Sequence, residues 1–170
     1  MSEVRVAVVM GVSGSGKTTL ARALSDAWEA TFLDADDFHS DEARALMAAG
    51  EPLTDEMRQP WVVRIATDLQ RRVADGAHVS LAFSGLRRQH RDVLRATGLP
   101  LRFLFLHGEA ALIGQRMRER SGHYMPVTLL DSQFATLEEP TGEDDVVMLP
   151  IDLPPDAQLR RALQALAVPL

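Results

Sequence analysis

A glycine-rich segment near the start of the chain constrains the fold most strongly. Residues 11–18 read GVSGSGKT and match the phosphate-loop pattern G-x-x-x-x-G-K-[ST]. Residues 4–10, directly before it, are apolar and rich in β-branched side chains, which is typical of a buried strand in a parallel sheet. After the loop, Leu20, Leu24 and Trp28 recur every four residues, as on one face of a helix. This order of strand, loop and helix predicts a site that binds phosphate groups.

Each residue type in the loop has a chemical reason to be there. Glycines let backbone N–H groups turn toward phosphate oxygens without a side chain in the way. The helix that follows points the positive end of its dipole at the anion. We expect Lys17 to contact the β- and γ-phosphates and the Thr18 hydroxyl to ligate Mg²⁺. The alternative, a chance glycine-rich turn, is disfavoured by the flanking strand and helix. The motif predicts a nucleoside triphosphate site and leaves the phosphoryl acceptor open.

The rest of the chain alternates between strand-like and helix-like segments. Further strands are expected at residues 31–33, 78–83, 101–106 and 146–149. Helices are expected at residues 40–75, with breaks near 50–52 and at Pro60, and at 87–96, 109–120, 127–137 and 155–167. This alternation predicts an α/β domain with a central parallel sheet and helices on both faces. Residues 121–126 read SGHYMP, and the glycine and proline near the two ends of this polar segment predict a mobile loop.

Length and composition exclude several classes of protein. A chain of 170 residues predicts a single domain. Its 24 acidic and 18 basic residues give a net charge of -6, which argues against a general nucleic-acid binder. Cysteine is absent, so disulfides, thiolate metal sites and cysteine nucleophiles are excluded. No apolar run approaches the ~20 residues of a membrane span, and no signal peptide is recognisable. We therefore expect a soluble, cytoplasmic protein with no membrane partner.

Two acidic residues follow the second expected strand. Asp34 and Asp36 are two positions apart, so on an extended segment their side chains share a face. The carboxyl ends of parallel strands border the ligand crevice of an open sheet. One carboxylate can hold Mg²⁺ through water while the other accepts a hydrogen bond from an acceptor hydroxyl, and Asp36 is the stronger candidate for the acceptor. The alternative is an acidic turn that only caps the next helix.

Two groups of arginines are candidates for binding anions. Arg116 and Arg120 are spaced i, i+4 on the helix that leads into Gly122 and His123, where they can stabilise a transferring phosphoryl group or form a solvated face. Another group follows the third strand, where it can bind an anionic acceptor or remain solvated. Its members are Arg87, Arg88 and Arg91. The histidines lack metal-ligand spacing, so no zinc site is predicted.

Several further segments carry a resemblance to a known family. They are MGVSGSGKT at 10–18, FLDADDFH at 32–39, MAAGEPLTD at 47–55 with Arg58, Pro60 and Trp61, then Ser84, Leu86, Arg91, Asp92, Leu94 and Arg95, then Arg120, Gly122 and His123, and finally QFATLE at 133–138 with Pro140. Together they make the chain resemble, nearly end to end, the small bacterial-type gluconate kinases, which are related in fold to shikimate and nucleoside monophosphate kinases. The segments at 50–61 and 133–140 are far more specific to the family than the phosphate loop.

The resemblance implies a fold and an activity. The fold is the three-layer phosphate-loop kinase fold, with five parallel strands in the order 2-3-1-4-5 and helices on both faces. One domain spans residues 1–170, with a helical insertion on the substrate side at about 39–76 and a mobile lid at about 119–128. The implied activity is ATP-dependent phosphorylation of D-gluconate to 6-phosphogluconate, in the carbohydrate metabolism of the pentose phosphate pathway. The resemblance also implies a homodimer.

The resemblance assigns roles to individual residues. The catalytic residues would be Lys17, Asp36 and Arg120. The ATP-binding residues would be Gly11, Ser13, Gly14, Ser15, Gly16, Lys17, Thr18, Thr19 and Arg116. The substrate-binding residues would be Asp36, His39, Arg58, Arg87 and His123, with the acceptor carboxylate on Arg58 or Arg87. Mg²⁺ would be held by Thr18 and Asp34.

The chain departs from the family pattern at six positions that the pattern places near the acceptor. Where the family usually has Pro, Asn, Lys, Asp, Lys and Tyr, this chain has Ser40, Ala43, Leu46, Met57, Arg87 and His90. Loss of polar partners for a substrate can shift discrimination by orders of magnitude. Two alternatives therefore stay open: a kinase for a different small hydroxy or sugar acid, and a nucleotide-binding regulator without gluconate activity. A nucleoside monophosphate kinase is disfavoured, since no base-binding segment is recognisable.

Overall fold

The computed structural model describes residues 3–119, 127–168 and 170, and for residues 127–129 the backbone only. The strands are β1 (Val6–Met10), β2 (Thr31–Asp34), β3 (Val79–Ala82), β4 (Leu101–His107) and β5 (Val146–Pro150). The helices are α1 (Lys17–Trp28), α2 (Asp41–Ala48), α3 (Asp55–Ala74), α4 (Arg88–Arg95), α5 (Ala110–Glu119), α6 (Val127–Thr136) and α7 (Pro155–Ala167). A short 3-10 helix, Ala35–Phe38, follows β2.

All five strands are parallel and form one sheet in the order β2-β3-β1-β4-β5. In the central strand, Val8 lies beside Leu81 of β3 on one side and Phe103 of β4 on the other. Every residue of β1 is buried, as its apolar sequence predicts. The α/β class and the strand order 2-3-1-4-5 are confirmed.

Helices cover both faces of the sheet, because alternate residues of each strand face opposite sides. Ala7 and Val9 pack on one face in a cluster that includes residues of α1, α5, α6 and α7. Val6, Val8 and Met10 pack on the other face, in a cluster with residues of α3 and α4. The result is three layers, with the carboxyl ends of the strands left free to border a site.

The predicted break at Pro60 is wrong, because α3 runs through this residue from Asp55 to Ala74. Thr54 caps the helix, and its hydroxyl accepts a hydrogen bond of 3.2 Å from the Met57 N–H. Pro60 lies near the N-terminus of α3, where its ring costs one backbone hydrogen bond. Burial of Trp61 and its apolar neighbours in the core outweighs that loss. The predicted interruption near residues 50–52 is confirmed, since α2 ends at Ala48.

Arg91 has a structural role. Its side chain is 1 % exposed and makes two hydrogen bonds, of 3.0 and 2.7 Å, to the Glu143 carboxylate. A third bond of 2.6 Å goes to the Gly85 carbonyl. Arg95 extends this network to Asp145, at 2.8 Å. The hypothesis that Arg91 binds an anionic acceptor is therefore wrong: its guanidinium joins α4 to the segment before β5.

Among the helices of the described ranges, none is both long and apolar enough to cross a membrane.

Candidate active site

The phosphate loop joins the carboxyl end of β1 to the first turn of α1. Gly14 has φ 79°, and a Cβ at this position would overlap the side chain of Met117 on α5. Gly16, at the N-cap of α1, has φ 97°. Both values lie in the left-handed region that glycine adopts without strain. A glycine-rich loop of this backbone shape is suited to present N–H groups to an anion.

The ammonium group of Lys17 lies against the same loop. Its Nζ donates a hydrogen bond of 3.1 Å to the Val12 carbonyl. Ser15 is buried, and its hydroxyl has no hydrogen-bond partner among the described residues. The loop backbone is tied to the neighbouring strand end, since the Gly11 N–H donates to the Ser84 carbonyl at 3.2 Å. The ammonium of Lys17 and the N-terminus of α1 together make this end of the cavity electropositive.

A cavity of about 520 Å³ opens from this loop toward the ends of β2 and β3. Its phosphate-loop end is lined by Ser13, Gly14, Gly16, Lys17, Thr18, Thr19, Arg22, Met117, Ser132 and Gln133. Its other end is lined by Asp34, Asp36, His39, Met47, Glu51, Pro52, Leu53, Arg58, Trp61, Ala82, Ser84 and Leu86. One cavity therefore joins an anion cradle to a mixed wall of carboxylates, a histidine, an arginine and apolar side chains. We call the second part the acceptor end.

Asp34 is the last residue of β2 and Asp36 lies in the 3-10 helix that follows, so the prediction of one extended segment is wrong, although both residues line the cavity. The Asp34 carboxylate caps the short 3-10 helix by accepting a hydrogen bond of 2.9 Å from the Asp36 N–H. Burial raises the pKa of Asp34, and the Asp36 N–H and Lys17 oppose this rise. The Asp36 side chain is 70 % exposed at the cavity, so its carboxylate is accessible to a ligand. Asp34 therefore both caps the 3-10 helix and lines the cavity.

His39 is held between the acidic pair and α3. Its Nε2 lies 3.7 Å from Asp36 Oδ1, and its side chain is only 5 % exposed. The imidazole stacks on Trp61, with ring centroids 4.3 Å apart. Burial, with the nearby guanidinium groups of Arg44 and Arg58, lowers the pKa of His39 to about 4. The imidazole is therefore neutral at neutral pH and offers a ligand one hydrogen-bond donor and one acceptor.

Arg58 supplies the positive charge at the acceptor end. Its side chain is 12 % exposed and lies 3.9 Å from Asp55. Burial lowers the pKa of Arg58, with Asp55 acting in the opposite direction, so the guanidinium is poorly hydrated and favours an anionic partner. Arg87 lies nearby, 3.7 Å from Asp55 and 4.0 Å from Glu138, but outside the cavity lining.

The structure brings most of the predicted site residues to the cavity lining. Those that line it are Ser13, Gly14, Gly16, Lys17, Thr18, Thr19, Asp34, Asp36, His39 and Arg58. Gly11 and Ser15 are buried within the loop. Arg116 lies away from the lining, and its Nη1 donates to the Ile151 carbonyl at 2.7 Å. Arg120, His123 and most of the expected lid at 119–128 lie outside the described residues.

Some residues of the lining were not predicted from the sequence as site residues. Gln133 of α6 is the most notable: its Oε1 accepts a hydrogen bond of 2.7 Å from the Ser13 N–H of the phosphate loop. Arg22, Glu51 and Met117 also line the cavity. For Glu51 and Gln133, the available signal was the family-specific character of the segments 50–61 and 133–140, which did not by itself indicate a position in the site.

The donor set at the loop suits a hard cation. The Thr18 hydroxyl and the Asp34 and Asp36 carboxylates line the same cavity, and oxygen ligands of this kind are those that Mg²⁺ prefers. Within residues 3–119, 127–168 and 170, no group of three or more His, Asp or Glu side chains forms a complete metal cage. Mg²⁺ is usually held by one or two protein carboxylates together with substrate phosphates and water.

Comparison with known proteins identifies the family. A family model described as an AAA domain matches residues 6–140. A gluconokinase of Arabidopsis thaliana is 38% identical, over 96% of this chain and 93% of its own length. The crystal structure of a gluconokinase from Sinorhizobium meliloti is 39% identical, with a TM-score of 0.89 over 98% of this chain and 94% of that one. A sugar kinase from Janibacter sp. HTCC2649 is 44% identical, with a TM-score of 0.89 over 96% and 94%. The chain therefore belongs to the gluconokinase family of phosphate-loop kinases.

Proposed function

We propose that the protein transfers the γ-phosphoryl group of ATP to the terminal hydroxyl of D-gluconate, producing 6-phosphogluconate and ADP. The observation that carries this proposal is the single cavity, which joins the phosphate loop to Asp36, His39 and Arg58. Membership of the gluconokinase family supports it from an independent direction. In this proposal residues 1–170 form one kinase domain.

The phosphate loop holds the nucleotide. Kinases of this kind use ATP with Mg²⁺. The Thr18 hydroxyl and the Asp34 carboxylate are the residues that would hold the cation, which supplies charge neutralisation at the phosphates. Lys17, whose ammonium lies on the loop, offsets the negative charge that spreads over the transferring group. The inward N–H groups of the loop add fixed dipoles to the same effect.

Asp36 acts on the acceptor. Its exposed carboxylate accepts a hydrogen bond from the terminal hydroxyl of gluconate and orients one oxygen lone pair toward the γ-phosphorus. As the new O–P bond forms and the bond to ADP breaks, the hydroxyl proton passes to this carboxylate. The neutral His39, 3.7 Å away, provides a hydrogen-bonding group for a second hydroxyl of the substrate.

Arg58 recognises the carboxylate of gluconate. A guanidinium matches a carboxylate in a two-point contact, and Arg58 is the arginine of the acceptor end that lines the cavity. Arg87 is close enough to the same acidic partner, Asp55, to add to the positive field. Trp61 and Leu53 form an apolar wall that suits the carbon chain.

Three more residues belong to the proposal because of the family resemblance. Arg120 closes over the phosphates as a catalytic residue and His123 contacts the substrate. Arg116, whose Nη1 donates to the Ile151 carbonyl, would support the nucleotide from outside the cavity lining. Arg120 and His123 would act from a lid at about 119–128. Positive side chains beside a transferring phosphoryl group stabilise the charge of its transition state.

The positions that depart from the family pattern bear on the choice of substrate. None of Ser40, Ala43, Leu46, Met57, Arg87 or His90 is among the residues that line the cavity. The side chains present at these six positions therefore do not form the cavity wall, and the acceptor panel decides between gluconate and a different sugar acid.

A panel of acceptors tests the proposal. ADP release is measured with MgATP and, in turn, gluconate, other six-carbon sugar acids, shorter hydroxy acids and no acceptor. Gluconate should give the highest kcat/KM. Turnover with another acid and none with gluconate would contradict the proposed substrate. Nucleotide binding without any acceptor-dependent ADP release would indicate a regulator in place of a kinase.

The proposal includes a cytoplasmic homodimer. The expected substrate and product are small charged metabolites, which supports the location. Sedimentation equilibrium of the full chain should give twice the monomer mass of 18.7 kDa. A single species at the monomer mass, at the concentrations used for the assay, would contradict the dimer.

A further inference from the structure

A hydrogen bond joins two parts of the chain that are 120 positions apart. The Ser13 N–H of the phosphate loop donates to the Gln133 side-chain oxygen of α6 at 2.7 Å, in a partly buried setting. Both residues line the active-site cavity. The backbone N–H groups of a phosphate loop are the hydrogen-bond donors that bind anions. Gln133 therefore engages the loop at a group that responds directly when phosphates enter.

The position of Gln133 is fixed by the core. On α6, Leu130 is buried in the cluster that covers one face of the sheet, and Phe134 and Leu137, the second directly after the helix, pack against that cluster. The α6 helix is thus anchored to the core, and we expect a displacement of the Gln133 side chain to reach the residues that follow the helix.

The segment after α6 contacts the acceptor end. The Glu138 N–H donates to the Leu86 carbonyl at 2.7 Å, and Leu86 lines the cavity. The Glu138 carboxylate accepts a hydrogen bond of 3.2 Å from the Arg88 N–H at the start of α4. Residues 133–138 therefore connect the phosphate loop at one end to the wall of the acceptor end at the other.

We propose that Gln133 is a positioning residue that couples nucleotide binding to the order of the acceptor end. When phosphates bind to the loop, the Ser13 N–H and Gln133 adjust together, and the Glu138 contacts with Leu86 and Arg88 become more stable. The acceptor wall is then held more firmly for the substrate when the nucleotide is bound. This inference rests on the proposed kinase function and adds a coupling between its two half-sites.

Hydrogen exchange of the Arg88 and Glu138 amides tests the coupling without any acceptor. In the wild type, a saturating non-hydrolysable MgATP analogue should slow exchange of both amides by about fivefold or more. The side chain introduced by Gln133→Met has a similar length but no acceptor oxygen. In this variant the analogue should have little effect on the exchange rates of the two amides. Gln133→Glu keeps an acceptor oxygen for Ser13, so protection should return once the nucleotide is saturating. Asp131→Asn, on the exposed face of the same helix, is the matched control and should behave as the wild type.

Turnover provides a second readout. Gln133→Met should lower kcat by about tenfold or more through loss of positioning, with little change in the affinity for MgADP. If Gln133→Met does not fold, Gln133→Asn, whose oxygen lies one methylene short of Ser13, takes its place. Nucleotide-induced protection that is absent in the wild type, or unchanged in the variant, would overturn the inference. Protection that behaves as expected without gluconate turnover would leave the coupling standing and contradict only the proposed substrate.

Discussion

The imidazole of His39 stacks on the indole of Trp61, with ring centroids 4.3 Å apart and ring planes at 15°. The same indole donates a buried hydrogen bond of 2.7 Å from Nε1 to the Ala35 carbonyl, in the turn that follows β2. Trp61 thus fixes both the backbone next to Asp36 and the ring of His39. Through Trp61, α3 therefore positions the backbone and the imidazole that form part of the acceptor end.

Trp61→Phe should destabilise the fold and weaken acceptor binding. The variant leaves the buried Ala35 carbonyl without its donor, which costs about 1–3 kcal/mol of unfolding free energy. KM for gluconate should rise more than KM for ATP. Urea unfolding and steady-state kinetics measure the two effects. Trp28→Phe is the control, since Trp28 is half-buried at the far end of α1. Equal effects of the two variants on KM for gluconate would contradict the role of Trp61.

His39 predicts a dependence of stability on pH. Its pKa is about 4 in the folded protein, below the ordinary value of 6.5. Between these values the unfolded chain binds a proton that the folded protein does not, so stability falls as pH decreases from about 6.5 toward 4. This one group contributes at most about 1.4 kcal/mol per pH unit. Unfolding midpoints of the wild type and His39→Gln, measured from pH 7 to 4.5, should differ in slope. Parallel curves would contradict the assignment.

Asp36 should control turnover without affecting nucleotide binding. Asp36→Asn keeps the shape of the side chain but removes the proton acceptor, so kcat should fall by about 10²–10⁴-fold. The affinity for MgADP should stay close to that of the wild type. Asp37→Asn is the matched control, because Asp37 is an exposed neighbour outside the cavity lining. Full kcat in Asp36→Asn, or an equal loss in Asp37→Asn, would show that the role of Asp36 is wrong.

The buried pair of Arg91 and Glu143 should be needed for stability. Arg91→Met leaves the Glu143 carboxylate without its two-point partner, in a setting where the side chain of Glu143 is 4 % exposed. Loss of one member of a buried pair costs about 3–5 kcal/mol, and the contact that Glu143 keeps with Arg95 places the expected loss at the lower end of this range. Arg91→Met with Glu143→Gln should recover part of this loss, because the buried carboxylate charge that has lost its two bonds to Arg91 is removed. Urea unfolding of the three proteins gives the comparison. A loss below about 1 kcal/mol for the single variant would contradict this role.

The parts of the site that are contiguous in the chain could be predicted from the sequence. The loop around Lys17 combines its strand, glycines and helix in one short segment, so its chemistry is readable directly. Asp34 and Asp36 could be predicted to lie at the ligand crevice because a parallel sheet brings its strand ends to one edge, and both residues line the cavity. The strand order was implied by the family resemblance and could not be derived from the chain's own pattern of residues.

Residues whose role depends on a distant partner could not be predicted. Arg91 pairs with Glu143 across 52 positions, and the sequence shows only an arginine in a basic cluster. Gln133 meets Ser13 across 120 positions. The run of α3 through Pro60 depends on the burial of Trp61, a tertiary effect that outweighs the local preference.

The product of the reaction tests the central claim most directly. The full chain is incubated with MgATP and gluconate, and ³¹P and ¹³C NMR identify where the phosphoryl group is attached. We expect equal amounts of ADP and 6-phosphogluconate, with the phosphoryl group on the oxygen of the terminal hydroxyl. Release of ADP that does not depend on gluconate, or a phosphate on any other position, would contradict the function proposed for this protein.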